Sequence, residues 1–195
     1  MRDLVSIGDL RLQIYSAMAF GSHEFIYYEY ANDHTYGDEN GGFALFNIET
    51  EEYNWTYDAA KIVNNEVRSF EDAYLSFNWD GVMYKNADPM FDNPAFSYLD
   101  GDALTSHDRV KFVNVEQDTF MGTFKHKETG DDAFMVVNYT DPYFGLNDEV
   151  TLEFEGADAL LMYRLGQKMI VELPSSGKYT MKLYPGEGRF IIPLK

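Results

Sequence analysis

Carboxylates are the reactive side chains this sequence holds in excess: 33 aspartates and glutamates stand against 15 lysines and arginines in 195 residues. Asp33, His34, Asp38 and Glu39 bunch inside one glycine-bearing stretch, NDHTYGDENGG. Hard oxygen donors of that kind suit a calcium ion, but they lack EF-hand spacing, and the plain reading is a solvated acidic loop. His23, His34, His107 and His126 are scattered, with no i, i+4 pair and no His-Glu-x-x-His pattern, so no zinc site is expected. The absence of cysteine excludes disulfide scaffolds, thiolate ligands and cysteine nucleophiles. Ser6, Ser16, Ser22 and Ser69 lie outside any Gly-x-Ser-x-Gly elbow. Tyr184-Pro185-Gly186-Glu187-Gly188 is glycine-rich but joins no strand to a helix, so it reads as a turn before the last strand, not a phosphate cradle. No catalytic residue, metal ligand or cofactor site is legible from spacing alone.

The formal net charge of −18 sets a field that repels phosphate, which argues against a nucleic acid or an anionic membrane as partner and leaves neutral or cationic ligands open. The opening MRDLVSIGDLRLQ has acids in its first ten residues and no apolar core or small-residue cleavage site, so it is not read as a signal peptide. No stretch reaches the ~18 apolar residues of a membrane span. A cytoplasmic setting is favoured, with the native start left open. Asn54-Trp55-Thr56 and Asn138-Tyr139-Thr140 match the glycosylation sequon, a pattern that recurs by chance and carries little weight.

The elements that must position any site come next. Ser6 caps a helix with Asp9 three residues on, Leu10, Ile14, Ala17 and Met18 share one face, and Gly21 ends it. Phe25 to Tyr30 reads as a strand with apolar or aromatic residues on both faces, and Asn32 to Gly42 as a long polar loop. A strand buried on both faces belongs in a parallel sheet with neighbours and covering helices, which one strand and two helices do not supply. With Thr56 as N-cap, the spacing of Ala60, Val63, Val67, Phe70 and Tyr74 predicts a helix from about Tyr57 to Tyr74.

After Phe77 the pattern changes. Trp79-Asp80-Gly81 reads as a turn, and Lys85 to Asp108 as an irregular crossover. Short β-prone runs start at Gly81, Val110, Phe120, Ala133, Val150, Ala159, Lys168, Lys178 and Arg189, with turns at 127–131, 166–167 and 174–177. Eight or nine strands so spaced predict an antiparallel sandwich. The fold class is α+β, divided into residues 1–77 and residues 78–195, the second large enough to fold without the first.

The order GDLRLQIYSAMAFG, an aromatic strand, GGFALFNIET and TYDAAKIVNNEV resembles the end of the TIM barrel in β-galactosidase-like glycoside hydrolases. FMGTFKHKETGDDAFMVVNY and YPGEGRFIIPL resemble the β-sandwich that closes those enzymes. The resemblance covers nearly the whole chain and lies in the order of its parts, since no single motif is diagnostic. It implies that Phe25 to Tyr30 is the eighth strand of a (β/α)8 barrel, flanked by the seventh and eighth helices. Residues 1–77 are then the incomplete end of a catalytic domain.

Retaining glycosidases of this kind use two carboxyl groups ~5–5.5 Å apart. The resemblance places both upstream of anything in this chain, so it implies no catalytic residue here and no activity of the chain alone. What it leaves is the eighth strand's share of a carbohydrate site: Glu29, Tyr30 and Asn32, with Tyr36 from the loop beyond. Ala31 stands where the family commonly has a tryptophan that floors the sugar, which puts that contact in doubt. An orphaned strand of this kind also implies self-association. The alternative is a non-catalytic β-sandwich that binds carbohydrate or mediates adhesion.

Overall fold

The computed structural model describes residues 6–28, 30–32, 44–88, 93–99 and 101–195. Helix α1, Ile7–Ala19, starts as the sequence predicts: Asp9 N donates to Ser6 Oγ (3.1 Å) and Ser6 N to Asp9 Oδ2 (2.7 Å), which closes a capping box. Gly21, at φ +82°, takes the left-handed turn that ends it. Helix α2, Trp55–Arg68, begins before Thr56, because Asn54 Nδ2 (2.8 Å) and Thr56 Oγ1 (2.7 Å) both donate to the Ala44 carbonyl and pin the chain at Asn54. It also stops early. Ser69 Oγ donates to the Glu66 carbonyl at 2.6 Å and Phe70 turns into the core, so the helix expected to reach Tyr74 is broken into α2 and a short α3, Glu71–Leu75.

Three very short strands form a small sheet: β1, Ala31–Asn32, runs parallel to β2, Phe46–Asn47, which pairs antiparallel with β3, Glu52–Tyr53. The expected strand from Phe25 to Tyr30 is not formed. Residues 22–28 carry no ladder, and pairing starts only at Ala31. Apolar composition had suggested burial on both faces, but Ile26 and Tyr28 are 93% and 94% exposed while Phe25 and Tyr27 pack inward.

Nine longer strands follow: β4, Phe77–Lys85; β5, Val110–Asn114; β6, Thr119–His126; β7, Asp132–Asn138; β8, Asp148–Phe154; β9, Ala159–Arg164; β10, Gln167–Glu172; β11, Lys178–Leu183; and β12, Gly188–Leu194. They build one sheet in the order β10-β9-β12-β7-β6-β4 and a second in the order β11-β8-β5, with every pairing in them antiparallel. Trp79-Asp80-Gly81 is a bulge inside β4, not a turn: Trp79 faces Phe124, Gly81 faces Thr123, and the extra residue is absorbed between them. The β9–β10 turn is Leu165-Gly166, one residue earlier than the sequence suggests, with φ of +46° and +81°. Positive φ at both central residues gives the turn a twist that matches its strands.

The six-stranded sheet is the middle of three layers. Ala133, Met135 and Val137 of β7 point to the helix side with Phe120, Phe124 and Phe190, whereas Phe134 and Val136 point to the three-stranded sheet with Met121, Leu152 and Ile191. Helix α1 lies so close to the middle sheet that a side chain could not replace hydrogen at two glycines. A Cβ on Gly122 would sit 2.1 Å from the Ala19 carbonyl oxygen, and one on Gly188 would sit 2.4 Å from the Tyr15 ring. The hydrophobic cluster on this side joins Ile14, Tyr15, Met18, Val63, Phe70 and Tyr74 of the first 77 residues to Phe120, Phe124 and Phe190 of the sandwich. The sequence boundary at 77/78 thus crosses one continuous core.

Candidate functional site

The small sheet β1–β3 carries the residues that sequence reasoning singled out and that the structure describes. Asn47 makes its hairpin: Oδ1 accepts from Glu49 N (2.9 Å) and Thr50 N (3.2 Å), and Glu51 closes the turn at φ +56°. Phe46 N donates to the Tyr30 carbonyl at 2.8 Å, which fixes Tyr30 beside β2. Ala31, Phe46 and Tyr53 then form one cross-strand row.

Four rings gather on this frame. Tyr30 stacks on Phe46 (centroids 6.3 Å, planes 14° apart), Tyr53 stacks on Tyr57 (4.1 Å, 26°), and Phe46 meets Tyr53 edge-on at 5.4 Å. The Tyr30 hydroxyl donates to the Tyr53 hydroxyl at 3.3 Å. That bond, first among the causes, raises the Tyr30 phenol above the ordinary tyrosine range. Tyr30 and Tyr53 remain 55% and 56% exposed.

Of the residues implied by the resemblance, Tyr30 lies in this cluster and Asn32 in β1, paired in register with Asn47. Glu29, Tyr36 and the acidic group Asp33, His34, Asp38 and Glu39 lie outside the described residues. Tyr53 and Tyr57 were missed. Their signal was Asn47-Ile48-Glu49-Thr50-Glu51, a tight turn that returns Tyr53 beside Phe46, hidden by the short strands around it.

Among the described residues no group of three or more His, Asp or Glu side chains is placed to hold a metal ion, and no helix is long and apolar enough to cross a membrane. The buried charges instead tie layers together. Glu66 of α2 accepts from Arg11 of α1 at 2.6 Å (Nη2) and 3.1 Å (Nε), and Tyr15 Oη lies 3.4 Å away. Burial first, then the Glu66 charge, pushes the Tyr15 phenol well above its ordinary range. Glu187 is fully buried in the turn before β12, where it accepts from Tyr184 N (2.8 Å), Arg189 Nη2 (2.9 Å) and Arg164 Nε (3.3 Å). Both sequon asparagines are engaged structurally: Asn54 Nδ2 as above, and Asn138, fully buried, through Nδ2 to the Leu146 (3.1 Å) and Tyr184 (3.2 Å) carbonyls.

Comparison with known proteins gives no relative: no family model matches the chain, and neither a curated protein nor a solved structure does.

Proposed function

We propose that this chain is the C-terminal part of a β-galactosidase-like glycoside hydrolase, contributing the last helix-strand-helix of the barrel and the closing β-sandwich, without the catalytic carboxylate pair. The observation that carries this reading is the two-sidedness of residues 24–28. Phe25 and Tyr27 are partly buried against the helix layer, where Tyr27 Oη donates to Asn64 Oδ1 of α2 at 2.7 Å. Ile26 and Tyr28 face solvent almost completely. The segment forms no ladder, but helices behind it and bare apolar residues in front are what a barrel strand without its sisters would present. The sequence order quoted above supports the same reading.

A non-catalytic carbohydrate-binding or adhesion module is the second reading, favoured by the exposed tyrosines of the small sheet. The two are separated by the reading frame upstream of Met1 and by an assay. Under the hydrolase reading the frame continues and supplies two glutamates at barrel-strand ends, and the 195-residue chain alone hydrolyses no aryl galactoside above the buffer rate. An upstream stop codon, or a turnover by the chain alone that Glu29→Gln abolishes, would overturn it.

A further inference from the structure

The geometry points to a binding site for an amphiphilic monocarboxylate, an acyl chain ending in one carboxylate, in the cleft between the edge strands β4 and β5. The site is separate from the small sheet and independent of the hydrolase reading. It follows from the unequal widths of the two sheets. Neighbouring strands lie ~4.8 Å apart, so three strands cannot span the six they face. Beside β5 the step is bridged by residues 99–107, which leave a cleft of about 630 Å³ floored by Met83, Leu104 and Phe112. The bridging wall is fixed at both ends. Leu104 N donates to the Val82 carbonyl at 2.8 Å, and the Leu104 side chain lies over Gly81, where a Cβ would come within 2.7 Å of Leu104 Cδ1. His107 Nδ1 accepts from Arg109 N at 3.1 Å, Nε2 lies 3.4 Å from Asp132 Oδ1, and the ring meets Phe134 edge-on at 5.2 Å. The cleft is therefore formed before a ligand arrives, and both His107 nitrogens are already used.

Charge decides the ligand. The protein carries 33 acidic residues against 15 lysines and arginines, yet among the described residues no aspartate or glutamate lines the cleft, while Lys85 and Lys111 do. Lys111 is tied to Glu153 at 2.7 Å; Lys85 makes no ion pair among the described residues. Met83 and Lys85 stand two apart in β4, so they share the face turned to the three-stranded sheet. A free ammonium thus follows directly after an apolar floor, and one cation matches one carboxylate on an acyl chain. The overall charge of −18 is screened over a Debye length of ~8 Å at 0.15 M salt, so the nearby lysine outweighs it inside the cleft. An inward lysine on an edge strand also discourages edge-to-edge pairing, a role that binding measurements separate from this one.

The test is calorimetric titration of the full chain with octanoate at about 0.15 M salt, with octanol and octylamine as probes of the same length and proton NMR to locate the acyl chain. Octanoate should bind more tightly than either probe and show nuclear Overhauser contacts to the Met83 methyl. Affinity should rise about two- to fourfold per methylene from hexanoate to decanoate, the scale of burying a CH2 group in part or whole. Lys85→Met should weaken octanoate about tenfold, the scale of losing a hydrogen bond to a charged group, and leave octanol unchanged, while Lys85→Arg should keep most of the affinity. Lys85→Gln reads the same loss if Lys85→Met associates through its edge. Octanoate affinity unchanged in Lys85→Met and Lys85→Gln, no octanoate binding, tighter binding of octylamine, or contacts to Ile26 and Tyr28 in place of Met83 would overturn the site.

Discussion

Residues 25–28 and strand β7 look alike as sequence and end up in opposite circumstances. Phe25-Ile26-Tyr27-Tyr28 and Ala133-Phe134-Met135-Val136-Val137 are both unbroken apolar or aromatic runs. In β7 all five of those residues are buried, because helices cover one face of the middle sheet and a three-stranded sheet covers the other. In residues 25–28 only the helix side is supplied, and Ile26 and Tyr28 stand in solvent. An apolar run therefore records how many covered faces the chain is suited to, and the neighbours decide how many it receives.

The largest test of that contrast is truncation inside each region. Phe134→Ala should cost about 3–5 kcal/mol in chemical denaturation, since it opens a cavity between two packed sheets. Tyr28→Ala should change stability by less than about 0.5 kcal/mol. Equal costs would show that residues 25–28 are covered after all.

Next in size is the tie between the helix layer and the rest. Glu66→Ala takes the carboxylate away from the half-buried Arg11 guanidinium and should destabilise by about 1–3 kcal/mol, while Arg11→Met with Glu66→Met should recover much of that loss. The measurement is the denaturation midpoint of both variants. A free-standing fragment of residues 80–195 sharpens the same point: without the helices, Phe120, Phe124 and Phe190 lose their cover, so the fragment should give a poorly dispersed proton spectrum where the full chain is well dispersed. A folded, monomeric fragment would show that the sandwich keeps its core unaided.

A smaller effect is expected from Asp148, at the start of β8 and fully buried. Burial lifts its carboxyl above the ordinary carboxylate range, against the opposing hydrogen bonds from Thr119, Gln117 and Glu116. The folded state thus keeps this proton to higher pH than the unfolded chain, so the group's contribution is complete below the ordinary range and is lost as pH rises through the lifted value. Asp148→Asn, which can still accept from Glu116 N and Gln117 N, should flatten that limb of the stability profile. An unchanged pH profile would mean that the carboxyl is not shifted.

The smallest effect should be in association. Bare Ile26 and Tyr28 favour contact between chains, and the charge of −18 opposes it until salt shortens the Debye length from ~30 Å at 0.01 M to ~8 Å at 0.15 M. Sedimentation should show weak self-association that rises with salt and disappears in Ile26→Asp. A monomer at every salt concentration would break the comparison from the other side.

Local rules were enough for α1, whose capping box is four residues of sequence, and for sandwich strands such as β8 and β11, whose alternation and turns are short-range signals. They were enough because a cap, a two-residue turn and a period of two are set by neighbours along the chain. What needed tertiary structure was every choice between equivalent local states. The bulge at Trp79 to Gly81 is a turn until β6 pairs across it, and the helix after Thr56 is continuous until Phe70 is drawn into the core. The middle sheet became a layer between helices and strands because Gly122 and Gly188 let α1 approach it, a fact of packing and not of propensity. Tyr53 joined Tyr30 through a ladder only two residues long, too short to leave a period in the sequence.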